Sequence, residues 1–312
     1  MLLTPPTLRF LGGKGGVGKT TLAAAVGLLE SRRGLRTLVV STDPAHSLGD
    51  VLSCDLGDEP RQLPGGLWAA ELSGEIQARR RVEQVAHDAA DAVPREVMPA
   101  VRQHLQRAAD SPGTVESALL DRLTELIEQV PRHWDRLVVD SAPTGHMLRL
   151  LQLPDLLRPW IEGLARQRER ARGADRMVAG MLGRSDDEPD PLLQRLHQRR
   201  DRMQRLAHRL RSDAAVHLVL LPERLAWAET VRAADALAAA GLRLGAPVVN
   251  RVVPPDESGL LAQRREQQDA VLAQVRHRFA ADAVVEVPLL GGELVGATEL
   301  GELVALLDRA GW

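Results

Sequence analysis

Leu8-Arg-Phe-Leu-Gly-Gly-Lys-Gly-Gly-Val-Gly-Lys-Thr-Thr21 decides the fold. It opens on a short apolar run of strand type, passes through a glycine-rich stretch, and enters a helical pattern over Lys19–Arg33. The stretch satisfies G-x-x-x-x-G-K-[ST], with Gly13 first and Gly18, Lys19 and Thr20 last. Glycines let backbone N–H groups converge on a phosphate without a Cβ in the way, and they tolerate positive φ. The helix that follows directs its N-terminal dipole at the anion. The expected nucleotide-binding set is therefore Gly13, Gly15, Gly16, Val17, Gly18, Lys19, Thr20 and Thr21. Within it Lys19 reaches the β- and γ-phosphates of ATP, and the Thr20 hydroxyl ligates Mg²⁺.

Working outward, apolar runs bounded by turn residues predict buried strands at Leu8–Leu11, Leu35–Val40, Leu137–Val139, Val216–Leu221, Pro247–Val249 and Val284–Val287, with a weaker signal at Leu67–Glu71. Helical spacing predicts Lys19–Arg33, Val115–Val130, Ala226–Ala240, Leu260–Arg278 and Ala297–Ala310. Such alternation reads as an α/β fold, a mostly parallel sheet flanked by helices on both faces. Ligands on such sheets bind at the carboxyl ends of the strands. Two segments break the alternation: residues 73–110 and 155–212 are helical, and the second holds 14 Arg against nine acidic residues, with a turn expected at Ser185–Pro191. The expected organisation is one P-loop ATPase domain over 1–312, with both segments forming a helical subdomain.

Composition sharpens the loop reading. Of 40 basic residues only two are lysine, Lys14 and Lys19, and both fall in the glycine-rich stretch. An ammonium on a flexible stem reaches between phosphate oxygens where a planar guanidinium does not pack. Lys14, at the start of the loop, has no obvious phosphate within its own subunit. A second copy facing the first would bring it to the other nucleotide, where it would act as an arginine finger does in trans. Two acidic segments follow, each after a strand. Ser41-Thr-Asp-Pro-Ala-His-Ser-Leu-Gly-Asp50 places Asp43 to orient a water. Asp140-Ser-Ala-Pro-Thr-Gly-His-Met-Leu-Arg149 follows Leu137-Val-Val and has the pattern in which a carboxylate holds Mg²⁺ directly or through water.

Taken in this order, GGKGGVGKTT (12–21), STDPAHSLGD (41–50), DSAPTGHMLRLL (140–151), PERLAWAET (222–230) and VVNRVVP (248–254) make the chain resemble the ArsA-type ATPases, over nearly its whole length. That family includes the arsenical pump-driving ATPase and the ATPase that targets tail-anchored membrane proteins. The resemblance implies a first switch with Asp43 activating the attacking water and His46 beside it, and a second switch carrying Asp140 and His146. It also implies that Asn250 contacts adenine, that the backbone near Pro288 bounds the base, and that Lys14 acts across a homodimer. Pro112-Gly113 with Glu116 looks like a family segment leading out of the helical subdomain. The implied partners are a membrane protein or a hydrophobic helical client.

Departures from the family are equally informative. Arsenite-responsive members gather several thiolates, and this chain has only Cys54; the C-x-x-C pair of the eukaryotic targeting factors is missing from Arg251–Phe279. Met177, Met181 and Met203 only faintly echo methionine-rich client helices. A rival reading is a ParA/MinD-like positioning ATPase acting on membrane or DNA, which shares the loop with its extra lysine. The final residues, Leu300–Trp312, carry Glu302, Asp308 and one Arg, which suits anionic lipid poorly. A dithiol- or biotin-type synthetase shares the loop but not the two acidic segments. A net charge of −2 gives no reason to expect general attraction to nucleic acid or to a membrane surface. No signal-peptide pattern and no run of 18 apolar residues occurs, so the expected location is cytoplasmic.

Overall fold

All six residues of the first strand, β1 (Leu8–Gly13), are buried, and its neighbours pair with it on both edges. The computed structural model describes residues 5–45, 47–89, 98–181, 190–280 and 283–312. From β1 the chain runs through the glycine-rich loop into α1 (Lys19–Arg32), then β2 (Thr37–Ser41), α2 (Leu48–Leu52), β3 (Arg61–Gln62) and β4 (Trp68–Glu71). Three helices follow, α3 (Gly74–Ala89), α4 (Met98–Ala109) and α5 (Pro112–Glu128), before β5 (Arg136–Asp140). Two long helices come next, α6 (Thr144–Met181) and α7 (Pro191–Ser212). The chain closes with β6 (Ala214–Leu220), α8 (Arg224–Ala239), β7 (Val248–Val252), α9 (Leu260–Phe279), β8 (Val285–Pro288) and α10 (Gly301–Arg309).

The eight strands form one sheet in the order β3-β4-β2-β5-β1-β6-β7-β8. Every pairing is parallel except β3 with β4. Alternate side chains of a strand point to opposite faces, and the core divides accordingly. Val219 of β6 and Val248 of β7 join a cluster with α1 and α10, including Leu22, Val26, Leu303 and Leu307. Their neighbours Leu220 and Val249 join a second cluster with Ala226 of α8 and Val271, Leu272 and Val275 of α9. Both faces are thus covered, as a parallel sheet requires. No helix among the described residues is long and apolar enough to cross a membrane.

The strand expectations hold with end shifts of one to three residues, and the weak signal at Leu67–Glu71 is β4. The helix expected from Ala297 begins at Gly301, after a turn in which Gly296 has φ 93° and donates its N–H to the Val51 carbonyl. Two short elements, β3 and α2, carry too few residues to show a period. Most of the Ser185–Pro191 turn lies outside the described residues.

The helical segments divide differently from the expected single subdomain. Contacts split the chain into one unit of Met1–Leu150 with Asp213–Trp312 and another of Leu151–Ser212. The helices of 73–110 belong to the first, because α3 packs on α5. An added Cβ at Gly74 would fall 2.8 Å from a Val115 methyl, and Arg81 pairs with Asp121 at 2.6 Å. In the second unit, Met203, Leu206 and Leu210 of α7 are buried, as their helical spacing predicts. Pro154 and Pro159 lie inside α6, where each lacks the N–H that would complete a helical hydrogen bond.

Charged groups are built into the sheet unit's core. Arg9 of β1 pairs with Glu30 of α1 at 2.9 Å, both nearly inaccessible. Removing one partner of such a pair costs about 3–5 kcal/mol, because the other charge stays buried. Nearby, His217 of β6 lies 4.5 Å from the Trp312 ring between centroids, over Gly245, with Nδ1 3.0 Å from the Ala246 carbonyl. Nδ1 therefore carries the proton, and Nε2 has no hydrogen-bond partner. Burial, with Arg9 adding its charge, pushes the His217 pKa down from 6.5 to about 4. A depressed histidine contributes stability that is complete above the unfolded value and lost as pH falls through the folded one. His217→Leu should therefore flatten the fall in melting temperature between pH 6.5 and 4 seen by circular dichroism. An unchanged slope would assign acid unfolding to other groups.

Candidate nucleotide site

Two of the loop glycines, Gly13 and Gly18, are demanded by close approaches. A Cβ at Gly13 would fall 2.3 Å from the Val219 carbonyl oxygen of β6, and one at Gly18, whose φ is 93°, would fall 2.4 Å from Asn250 Nδ2. At Gly15 and Gly16 an added Cβ meets nothing within 4 Å, so on that side the loop backbone is open to a bulky anion. Gly12, just before, packs on Met147, with a Cβ there 2.6 Å from the methionine Cε. Lys19, the first residue of α1, is 5 % exposed and donates from Nζ to the Lys14 carbonyl at 3.0 Å. Burial lowers its pKa, while Asp140 and Asp43 work against that shift. Lys14 is exposed. Val17 is buried, and Thr20 and Thr21 are half-buried on the first turn of α1.

Strand register delivers Asp140 to this loop. It ends β5 opposite Leu11 of β1 and Ser41 of β2, and it is fully buried. Its Oδ2 accepts from the Thr20 hydroxyl and from the Ser41 hydroxyl, both at 2.9 Å. Its Oδ1 is buried with no partner. Burial outweighs these hydrogen bonds and lifts the Asp140 pKa from 3.8 to about 6. The Ser47 hydroxyl lies 3.2 Å from Thr20 Oγ1. A carboxylate with an unsatisfied oxygen and two hydroxyls on the other, with a third hydroxyl beside Thr20, is a hard-oxygen donor set of the kind Mg²⁺ prefers. The residues expected to hold the metal thus fit it.

Asp43 follows β2 directly. Its backbone N–H donates to Ser41 Oγ at 3.3 Å, and its Oδ1 accepts from the Ala45 N–H at 3.1 Å, which fixes the carboxylate across Pro44. Asp43, His146 and Met147 all border a cavity of about 740 Å³, bounded also by Glu75, Glu116 and Leu150. His146 is exposed, on the first turn of α6. Glu116, of the segment singled out in the sequence, pairs with Arg149 at 3.1 Å. His46 lies outside the described residues.

Asn250 reaches the loop from β7, and its amide donates to the Val17 carbonyl at 2.8 Å. It therefore braces the loop, a part the sequence reading did not give it. Pro288 ends β8 in register with Val252. The sequence reading also passed over Ser41 and Ser47. Both lie in the first acidic segment; Ser41 could have been found as a hydroxyl at the end of the strand beside Asp140, and Ser47 meets only the Thr20 hydroxyl. Cys54 is half-buried, and burial raises its thiol pKa. Among the described residues no three of His, Cys, Asp and Glu gather as a metal cluster.

Known proteins give the chain its family. Residues 7–309 match the profile of the family described as Anion-transporting ATPase. Protein Rv2184c of Mycobacterium tuberculosis is 35% identical over 96% of this chain and 73% of its own length. ATPase GET3C of Arabidopsis thaliana is 29% identical over 94% of this chain and 81% of its own. ATPase ARSA1 of Chlamydomonas reinhardtii is 32% identical over 91% of this chain, which spans 40% of that longer protein. With the profile running unbroken from the strand before the loop to the last helix, the chain belongs to the anion-transporting, ArsA-type ATPases.

Proposed function

We propose that this ATPase hydrolyses Mg·ATP between two facing copies of itself, and that the cycle opens and closes the dimer around a membrane-protein partner or a hydrophobic helical client. The observation that carries the reading is the buried Asp140, which shares one oxygen with the Thr20 and Ser41 hydroxyls and keeps the other unsatisfied. Thr20 and Asp140 would hold Mg²⁺, directly or through water, and the ion would neutralise charge on the β- and γ-phosphates. Loop N–H groups and the α1 dipole bind the phosphate oxygens, and Lys19, already desolvated, supplies its full charge to them. Asp43 orients the attacking water and takes its proton. Lys14, exposed and turned to no acidic partner among the described residues, extends to the second nucleotide. Asn250 and the Pro288 backbone bound the adenine. A single half-buried thiol supports no three-thiolate metalloid site, which favours a helical or membrane-protein client over arsenite.

Asp43→Asn is expected to leave ATP affinity within about threefold of wild type while lowering the turnover number by about 10²-fold or more. Loss of affinity with turnover preserved would make Asp43 a binding residue.

The raised Asp140 pKa has a sign that can be tested. A carboxyl lifted from 3.8 to about 6 contributes stability below pH 3.8 that is lost as pH rises through 6, on the order of 2–3 kcal/mol by pH 7. In EDTA at pH 7, Asp140→Asn should therefore raise the melting temperature, and added Mg²⁺ with nucleotide should no longer raise it further. A lower melting temperature in EDTA would show that the carboxylate is not the strained group.

The trans role of Lys14 is tested by mixing. Lys14→Ala and Asp43→Asn proteins should each be nearly inactive alone. A mixed dimer contains one complete site, so equal mixing should restore about a quarter of wild-type activity if each site acts alone. No recovery, with mixed dimers shown to form, would confine Lys14 to its own subunit.

A further inference from the structure

The unit Leu151–Ser212 carries 14 Arg against nine acidic residues, a surplus of five positive charges in a chain whose net charge is −2. Its described acidic side chains are used within the unit. Asp155 pairs with Arg211, Glu162 with Arg158, Asp190 with Arg168 and Asp201 with Arg200, and Glu169 lies 3.2 Å from His197 Nε2. Arg166 and Arg170 of α6 are exposed and make no ion pair among the described residues.

The same helix exposes apolar surface. Aromatic residues are scarce here, five Trp, two Phe and no Tyr. Four tryptophans are at least half-buried and in ring contact: Trp68 with Trp134, Trp227 with Phe279, and Trp312 with His217. Trp160 is the exception, 63% exposed and outside every ring contact found among the described residues. Leu156, one turn earlier, is 64% exposed, and Leu192 at the start of α7 is 53% exposed. Leu156, Trp160, Gln167 and Arg170 recur at spacings of 4, 11 and 14 residues, so they share one helix face. Arg166 flanks that face. The opposite face holds Ile161 and Ala165, 1% and 4% exposed.

We infer that this face of α6 docks on an anionic phospholipid surface. Trp and Leu insert at the level of the headgroups while the guanidinium groups meet the phosphates. The two signals act together, since neither a small apolar patch nor a modest positive surplus anchors a protein alone. A nucleic acid would use the arginines but leaves an aliphatic Leu156 without a role, and a purely apolar helix would leave Arg166 and Arg170 unmatched. The patch shares no residue with the nucleotide site, so its loss leaves basal ATP turnover intact.

The test is vesicle co-sedimentation of the full chain, with phosphatidylcholine alone and with about 30% phosphatidylglycerol. Binding to the anionic vesicles should be about tenfold stronger or more, and should weaken as salt is raised. Trp160→Ser and Arg166→Glu/Arg170→Glu should each lower it by about tenfold, with melting temperature and basal turnover unchanged. Trp160 emission should shift to the blue on binding, read as the difference between wild type and Trp160→Phe. Equal binding to neutral vesicles, or binding that ignores these substitutions, overturns the inference. So does a result in which the substitutions weaken binding of duplex DNA or of a hydrophobic helical peptide but not of vesicles.

Discussion

The pairing of β5 with both β1 and β2 is the constraint on which the nucleotide site depends. Parallel register places Asp140 opposite Leu11 and Ser41 and brings the ends of three strands to one edge. Burying a carboxylate there is costly, and only the Thr20 and Ser41 hydroxyls and the Lys19 charge keep it tolerable. Loop, strand and first acidic segment are thus held to one another by a group whose ionised form burial disfavours. Such strain is common where a fold is prepared for a charged ligand.

The glycine pattern of the loop has the same origin. Gly13 is pressed on the Val219 carbonyl and Gly18 on the Asn250 amide, so β6 and β7 shape the loop from behind. Asn250 in turn fixes the Val17 carbonyl. The shape of the glycine-rich loop is therefore a product of the central sheet, although its residues are contiguous in sequence.

Much of this was legible in the chain. The strands ending in Gly13, Ser41 and Asp140 are apolar runs closed by turn or acidic residues, and alternation with helices left one architecture. The loop was legible because glycines and lysine at that spacing serve few other ends. Less visible were features that depend on register. Neither the Ser41 hydroxyl on Asp140 nor the Asn250 amide on Val17 follows from local pattern, since each joins residues about 100 or more positions apart. The division of the helices was also hidden. Residues 73–110 and 155–212 both read as helices that interrupt the alternation, and only the packing of α3 on α5 assigns the first to the sheet unit.

The near-absence of lysine has a chemical consequence. Amine-directed reactions, whether acetylation or labelling with an activated ester, usually scatter over many lysines of a protein surface. Here the side-chain targets are two, and Lys19 is 5 % exposed with its ammonium held on the Lys14 carbonyl. Lys14 is left as the accessible amine on a side chain. Acylation there removes its positive charge, so among side chains a reaction that is unselective on most proteins is narrowed to one residue of the loop on this one.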